Sequence, residues 1–260
     1  MRLGLAVVWT LICGLLLMGA AVFGIGSNIR QMKIGAWMTR LWSKGILRII
    51  GISLTVIGER PPRGSFTVSN HVTWLDIVVM GSTCTSNQIA KRELAKLPFL
   101  GFCFRIAGTM FINRESRRDA HRLANELKAY MEAGLTISMF PEGGCGNGKE
   151  LGKFKSSLLA GAAELGTPCV PAAIHYDLAD VVWYDGSGLG THAIRMMRAK
   201  AARPKSSTPA GIKRGLFSRP IAVTLSFGPP MVCESRKKLT ADLESAVNSM
   251  YKPIVANDAP

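Results

Sequence analysis

Acidic residues are scarce in this chain of 260 residues: 17 Asp and Glu stand against 32 Lys and Arg, giving a formal charge of +15 and a pI near 9.9. Charge of either sign is sparse, at 19% against 48% hydrophobic residues, which excludes a disordered, collagenous or coiled-coil protein. Paired cysteine spacing is missing as well. Cys13, Cys84, Cys103, Cys145, Cys169 and Cys233 are scattered, and no two share the C-x-x-C spacing of a zinc or redox site. The expectation is free thiols in a reducing compartment, with no disulfide framework and no metal. No G-x-S-x-G elbow signals a serine nucleophile, and there is no internal repeat. The length allows one domain, or one domain with an appendage. The excess of cations favours an anionic partner, nucleic acid or a membrane surface, and composition does not separate the two.

What is present is a long apolar run. Leu3 to Ile25 is 23 residues without a charge, and as a helix it would reach roughly 34 Å, enough to cross a hydrocarbon layer about 30 Å thick. A cleaved signal peptide is the competing reading, but the run exceeds an ordinary h-region. Residues 1–27 are therefore read as a transmembrane anchor. Arg30, Lys33, Arg40, Lys44 and Arg48 follow, with no acid before Glu59, so the positive-inside rule places the remainder on the cytoplasmic face of the inner membrane. Residues 28–51 read as a basic amphipathic helix in which Trp37, Leu41 and Trp42 alternate with cations. Such a helix can lie in the membrane interface or pack on the core. A mean hydropathy of +0.20 fits a chain with apolar surface facing something besides a core.

From residue 52 to 260 the pattern is that of an α/β domain. Strands are expected at Ile52–Ile57, Phe66–Ser69, Gln88–Ala90, Thr109–Ile112, Leu135–Phe140, Cys169–Ile174 and Ile221–Phe227. The clearest helix runs from Glu115 to Ala133, where Ala120, Leu123, Ala124, Leu127 and Met131 share a face; Ser116 and Asp119 form a capping box and Gly134 ends it. Strands alternating with helices imply a mixed, mostly parallel sheet covered by helices. Arg195 to Arg219 holds eight Lys and Arg and no acid, and reads as a basic loop, solvated or touching anionic headgroups. Leu239 to Tyr251 reads as a terminal helix.

The chemistry concentrates at strand ends. Val68-Ser69-Asn70-His71-Val72-Thr73-Trp74-Leu75-Asp76 closes a strand with Asn-His and places an acid five residues after the histidine. An acid in the first turns of the next helix can fold back on the imidazole, fix its tautomer and leave the other nitrogen free to take a proton. Gly108 to Arg114 is a strand ending in Asn113 and Arg114 before a helix N-terminus, a setting for an anionic group. Phe140-Pro141-Glu142-Gly143-Gly144 closes another strand with an acid and a glycine turn; Glu142 is placed to bond a substrate hydroxyl or pair with Arg114. Val170-Pro171-Ala172 shapes a wall. His121, His175 and His192 read as structural or solvent-facing, and Trp74 as packing or lining an acyl path.

In this order and spacing the four pieces resemble the 1-acylglycerol-3-phosphate acyltransferase family of glycerolipid acyltransferases. Its N-H-x-x-x-x-D block is matched at Asn70, His71 and Asp76, its G-x-x-F-I-x-R block from Gly108 to Arg114, its F-P-E-G block from Phe140 to Gly143, and its V-P-x strand at Val170–Ala172. The resemblance covers about residues 52 to 230. It implies that His71, supported by Asp76, acts as general base on the free hydroxyl of a lysolipid, and that the oxygen attacks the thioester of acyl-CoA or an acylated carrier protein. It also implies that Asn70, Asn113, Arg114, Glu142 and Gly143 hold substrate, with no cofactor beyond the acyl donor.

One block departs from the family. Gly144 and Cys145 stand where Thr and then Arg or Ser are usual, which removes a cation. The continuation Lys153-Phe154-Lys155-Ser156-Ser157-Leu158 is similar to the lyso-ornithine lipid acyltransferase branch, whose acceptor has no phosphate. Lys153 and Lys155 are alternatively anion contacts before a helix. Lysophosphatidate is placed first as acceptor and lyso-ornithine lipid second. A membrane-anchored protein that binds anionic lipid or nucleic acid is the reading from another class. The cations lie largely outside the strand-end motifs and no nucleic-acid module is recognised, so no nucleic acid is expected as partner. A hydrolase using His71 and Asp76 on water is a third.

Overall fold

Seven short runs rich in Val, Ile, Thr and Phe pair into one sheet. In the computed structural model the described residues are 1–22, 27–96, 99–112, 126–203 and 220–254. The strands are β1 (Ile52–Ile57), β2 (Phe66–Ser69), β3 (Ser86–Lys91), β4 (Met110–Ile112), β5 (Thr136–Met139), β6 (Cys169–Tyr176) and β7 (Ile221–Phe227), in spatial order β1-β7-β6-β2-β5-β3-β4. Every expected strand is present, with ends displaced by at most two residues. Among the strand pairs of the described residues, β6–β7 alone is antiparallel. The central strands β2 and β5 are buried at every position, as parallel strands covered on both faces must be. Register pairs Val68 with Pro171 and Ser69 with Ala172, so the end of β2 lies beside the middle of β6.

Helices cover both faces. They are α1 (Arg2–Ala21), α2 (Asn28–Ile50), α3 (Leu75–Thr83), α4 (Leu100–Ile106), α5 (126–132 as described), α6 (Ala160–Glu164), α7 (Leu189–Ala202) and α8 (Arg236–Met250). One core joins Ile46, Leu47 and Ile50 of α2 to Leu75, Val78 and Val79 of α3 and to Ile174 and Leu225 of the sheet. The other joins Phe66, Ile137 and Met139 to Leu127, Leu159, Leu243 and Val247 on the opposite face. Helix α5 is the end of the helix expected over Glu115–Ala133. It stops at Gly134 (φ +67°), with the Leu135 N–H donating to the Tyr130 carbonyl at 2.9 Å, while residues 115–125 lie outside the described residues.

The basic helix packs on the core, with Trp37 left 58% exposed. Ser27 caps its start by accepting from the Arg30 N–H, and Gly51 (φ +78°) ends it. The apolar helix α1 returns antiparallel along α2. Arg2 Nη1 donates to the Ile50 carbonyl (3.1 Å), Trp9 Nε1 to the Trp42 carbonyl (3.0 Å), and Trp42 Nε1 to Thr10 Oγ1 (3.0 Å). Cys13, Gly14 and Leu17 are buried, whereas Leu5, Val8, Ile12, Leu15 and Leu16 form an exposed apolar face. By length and composition α1 is able to cross a membrane.

The basic segment from Arg195 is corrected in its first part. Arg195, Arg198 and Lys200 lie on α7, a regular helix, and residues 204–219 lie outside the described residues. Lys200 is buried (3% exposed) and its Nζ donates at 2.6 Å to the same Ile50 carbonyl that Arg2 uses. Two cations thus sit on the negative end of α2. Burial, reinforced by Arg2 and Arg203, lowers the Lys200 ammonium to about 8. A Cβ at Gly45 would overlap the Trp9 indole, so this glycine is what lets α1 approach α2. Gly45→Val is expected to cost about 1–3 kcal/mol by overpacking, read as a lower melting temperature of the detergent-solubilised protein.

Candidate active site

The end of β2 feeds directly into the site. Asn70, anticipated as a substrate contact, is fully buried: its Oδ1 accepts from the Ile174 N–H (2.8 Å) and its Nδ2 donates to the Ile174 carbonyl (3.0 Å). It clamps β2 to β6 and positions the next residue. That residue, His71, keeps 14% of its side chain exposed.

Asp76 sits in the first turn of α3, which has no side-chain cap. Its carboxylate folds back instead. Oδ2 accepts from His71 Nδ1 (2.9 Å) and from the Val72 and Thr73 N–H groups (2.7 and 2.9 Å), while Oδ1 accepts from the Tyr176 hydroxyl (2.7 Å). Asp76 has no exposed surface, and a buried carboxylate persists only with such a full set of donors. With the carboxylate on Nδ1, the ring proton resides there and Nε2 carries the lone pair. The fold-back anticipated from the five-residue spacing is therefore present. Tyr176 was not anticipated; it ends an apolar strand, and only the β2–β6 neighbourhood brings it to Asp76. Its hydroxyl is raised well above its usual value by burial and by the Asp76 charge.

The loop after β5 holds His71 from the other side. The Phe140 ring stacks on the imidazole at 4.3 Å between centroids and 18° between planes. Glu142 Oε1 accepts the His71 N–H at 2.6 Å, Oε2 accepts the Gly152 N–H at 2.9 Å, and the Gly146 N–H donates to the His71 carbonyl at 2.6 Å. Both carboxylate oxygens of Glu142 thus serve as a clasp for the loop. Gly152 lacks the Cβ that would overlap this carboxylate, and Gly143 takes φ +84°. Desolvation pushes Glu142 from its ordinary 4.5 up to about 7; the two amides pull against that shift and the Asp76 charge adds to it.

The remaining anticipated residues divide. Lys155 is exposed, its stem and Nζ lying over Gly143, and its N–H bonds the Pro141 carbonyl at 2.9 Å. Lys153 is exposed on the same loop, which is tied to α8 by the Phe154 N–H donating to Glu244 at 2.7 Å. Asn113 and Arg114 lie outside the described residues, as does His121. His192 is buried on α7 and accepts from Trp74 Nε1 at 3.1 Å, and His175 meets the Lys252 carbonyl. An apolar cavity of about 100 Å³ lies between α1, α2 and α4, lined by Cys13, Leu17, Met38, Trp42, Ile77 and Phe104. Ile77 adjoins Asp76 in sequence. The assembly can take a proton on Nε2 and shield the ring on the face that Phe140 covers.

The site is thus a histidine held by a carboxylate at a strand end and closed over by a Phe-Pro-Glu-Gly loop on an α/β sheet. Residues 53–175 match the family model described as Acyltransferase. It is 29% identical over 248 residues to the 1-acyl-sn-glycerol-3-phosphate acyltransferase of Neisseria gonorrhoeae, covering 92% of this chain and 90% of that protein. It is 31% identical over 171 residues to the lyso-ornithine lipid O-acyltransferase of Pseudomonas aeruginosa, covering 62% and 66%. The fold is similar to the crystal structure of the 1-acyl-sn-glycerophosphate (LPA) acyltransferase, PlsC, from Thermotoga maritima, with a TM-score of 0.63 at 20% identity over 96% of each chain. The enzyme is an O-acyltransferase.

Tyr176→Phe removes one donor from a buried carboxylate, so the protein should fold with a stability loss of about 1–3 kcal/mol. Acyl transfer should drop on the order of tenfold, measured as thiol release. Glu142 binds its proton more tightly in the folded than in the unfolded chain. The stability it contributes is therefore complete below pH 4.5 and lost as the pH rises to about 7. Over that window the wild-type melting temperature should fall relative to Glu142→Gln.

Proposed function

We propose that the enzyme moves a fatty acyl group from acyl-CoA or acyl carrier protein to the free hydroxyl of a lysolipid, with 1-acylglycerol-3-phosphate as acceptor and phosphatidic acid as product. The reading rests on one observation, the lone pair of His71 Nε2 left available because Asp76 holds Nδ1 at 2.9 Å. His71 takes the acceptor proton, Asp76 steadies the resulting imidazolium, and the donor thiol leaves with a proton from the same nitrogen. The carboxylate that bonds Nδ1 also bonds two backbone amides, so the ring is oriented before substrate arrives. The cavity behind Ile77 suits part of an acyl chain.

Lys155 supports the phosphate-bearing acceptor. The motif loses its usual cation at Gly144-Cys145, and Lys155 lying over Gly143 returns one to the same loop. Asn113 and Arg114 are assigned to the acceptor head by the family pattern, and Lys153 to the approach of an anionic donor. Lyso-ornithine lipid is the second reading, favoured by the similarity of the Lys153–Leu158 segment and of the Pseudomonas aeruginosa relative.

The membrane is met by the α1–α2 hairpin. A spanning α1 would carry Arg40 and Lys44 of α2 to bilayer depth, a costly position. The exposed apolar face of α1 instead enters one leaflet of the inner membrane, from the cytoplasmic side, with the cations of α2 at headgroup level.

Membranes containing the enzyme, given a panel of lysolipids and a thioester donor, should form phosphatidic acid detected by mass. His71→Ala should reduce its formation by about 10²–10⁴-fold. Lys155→Ala should raise KM for lysophosphatidate and leave KM for lyso-ornithine lipid unchanged; equal effects on both would assign Lys155 to framework.

A further inference from the structure

Gln88 brings an amide into the wall of the apolar cavity between α1, α2 and α4. The residue is 7% exposed, and its Oε1 has no hydrogen-bond partner among the described residues. The other end of the amide is held. Nε2 donates to Ser86 Oγ at 3.3 Å, and that oxygen also accepts from Ser138 Oγ at 2.9 Å. Turning the amide over exchanges Oε1 and Nε2 and still leaves one polar atom unpaired. Side chains of a strand alternate between its faces, so Ser86, Gln88 and Ala90 share one, and Ala90 also lines the cavity. A buried polar group without a partner is costly. Leucine at this position of β3 would finish the wall without that cost.

The cavity lies on the same side of the sheet as the ring that stacks on His71. Register sets Gln88 beside Ser138 on β5, two residues before Phe140. With strands about 4.8 Å apart and a rise of about 3.4 Å per residue, the backbones of Gln88 and Phe140 are roughly 8 Å apart. Trp42 and Ile77, which line the cavity, pack against the core cluster that contains Phe140. Ile77 also follows Asp76, the carboxylate on His71. A fatty chain with its reacting end at His71 therefore has the cavity within reach. A plain alkyl chain there would cover the amide and leave it unpaired. A hydroxyl on the chain would pair with the amide in either orientation, since it both donates and accepts. We infer that the cavity selects a fatty acyl chain that carries a hydroxyl group, and that Gln88 is the residue that reads it. The inference rests on the acyl-transfer reading above and narrows its substrate class; the direct transfer with His71 as base is unchanged. One neutral hydrogen bond discriminates modestly, by about tenfold. The chain in the cavity belongs either to the donor or to the lysolipid, and the two are separable by experiment.

Membranes containing the enzyme are given equal amounts of palmitoyl and hydroxypalmitoyl thioesters, on CoA and separately on acyl carrier protein. The acceptor is lysophosphatidate or lyso-ornithine lipid, and the two products are counted by mass in one vessel. The hydroxyl is placed in turn near the carbonyl, at mid-chain and at the chain end. A second arm puts the same series on the chain of lysophosphatidate and keeps a palmitoyl donor. At one position the wild-type enzyme should favour the hydroxylated chain about tenfold, and the arm that shows this names the source. Gln88→Leu and Gln88→Met should bring the ratio to one or below; a ratio taken in one vessel does not depend on how much enzyme is folded. A melting comparison needs no turnover: free hydroxypalmitic acid should raise the melting temperature of the purified wild type more than palmitic acid does, and lose that advantage in both variants. No preference at any position in the wild type, the result if a water satisfies the amide, overturns the inference and leaves acyl transfer standing. A preference that survives in both variants also overturns it. Should no donor acylate either lysolipid, the acyl-transfer reading fails, and the melting comparison by itself upholds or overturns the assignment of the cavity.

Discussion

A buried carboxylate must collect donors or give up its charge, and that constraint at Asp76 organises the centre of this protein. One oxygen gathers the imidazole of His71 and two amides of the turn that opens α3; the other takes the hydroxyl of Tyr176. The turn, the strand before it and the strand beside it are thereby locked to one point. Asn70 adds the second lock by bracketing the Ile174 peptide, so β2 and β6 cannot slide without breaking both. The imidazole is placed by the same bonds that hold the fold, which is why its orientation does not wait on substrate.

Glu142 plays the matching part for the loop after β5. Its two oxygens join His71 to Gly152, closing residues 142–152 into a compact arch. Glycine at position 152 follows from this, since a side chain there would occupy the space of the carboxylate. The cost is desolvation, visible in the upward shift of that acid. What the arch presents is unusual for the motif: an ammonium from Lys155 and a thiol from Cys145 in place of a guanidinium.

The apolar N-terminal helix is keyed into the domain rather than hung from it. Arg2 and Lys200 share the last carbonyl of α2, and Trp9 and Trp42 interlock midway along the hairpin. Those contacts set which face of α1 is left bare. The same helices α1 and α2, with α4, line the apolar cavity that Ile77 borders.

Much of this was legible in the chain itself. Alternation and apolar runs marked all seven strands, and the His71–Asp76 spacing marked a local fold-back that needs no tertiary information. Gly134 marked a helix end for the same reason, because only the backbone next door is involved. Helix α7 was read as loop beyond Arg195, since the proline and serine breakers after residue 203 outweighed its own modest apolar pattern. The family resemblance implies Asn70 and Glu142 as substrate contacts; the partners they have in the fold lie 104 and 71 residues away in the backbone. Tyr176 on Asp76 and Cys145 on His71 are likewise separated by 100 and 74 residues. Periodicity and short-range spacing state what a segment becomes. Strand order and loop closure decide which distant atoms meet, and a hydrogen bond is sensitive to fractions of an ångström that no residue pattern records.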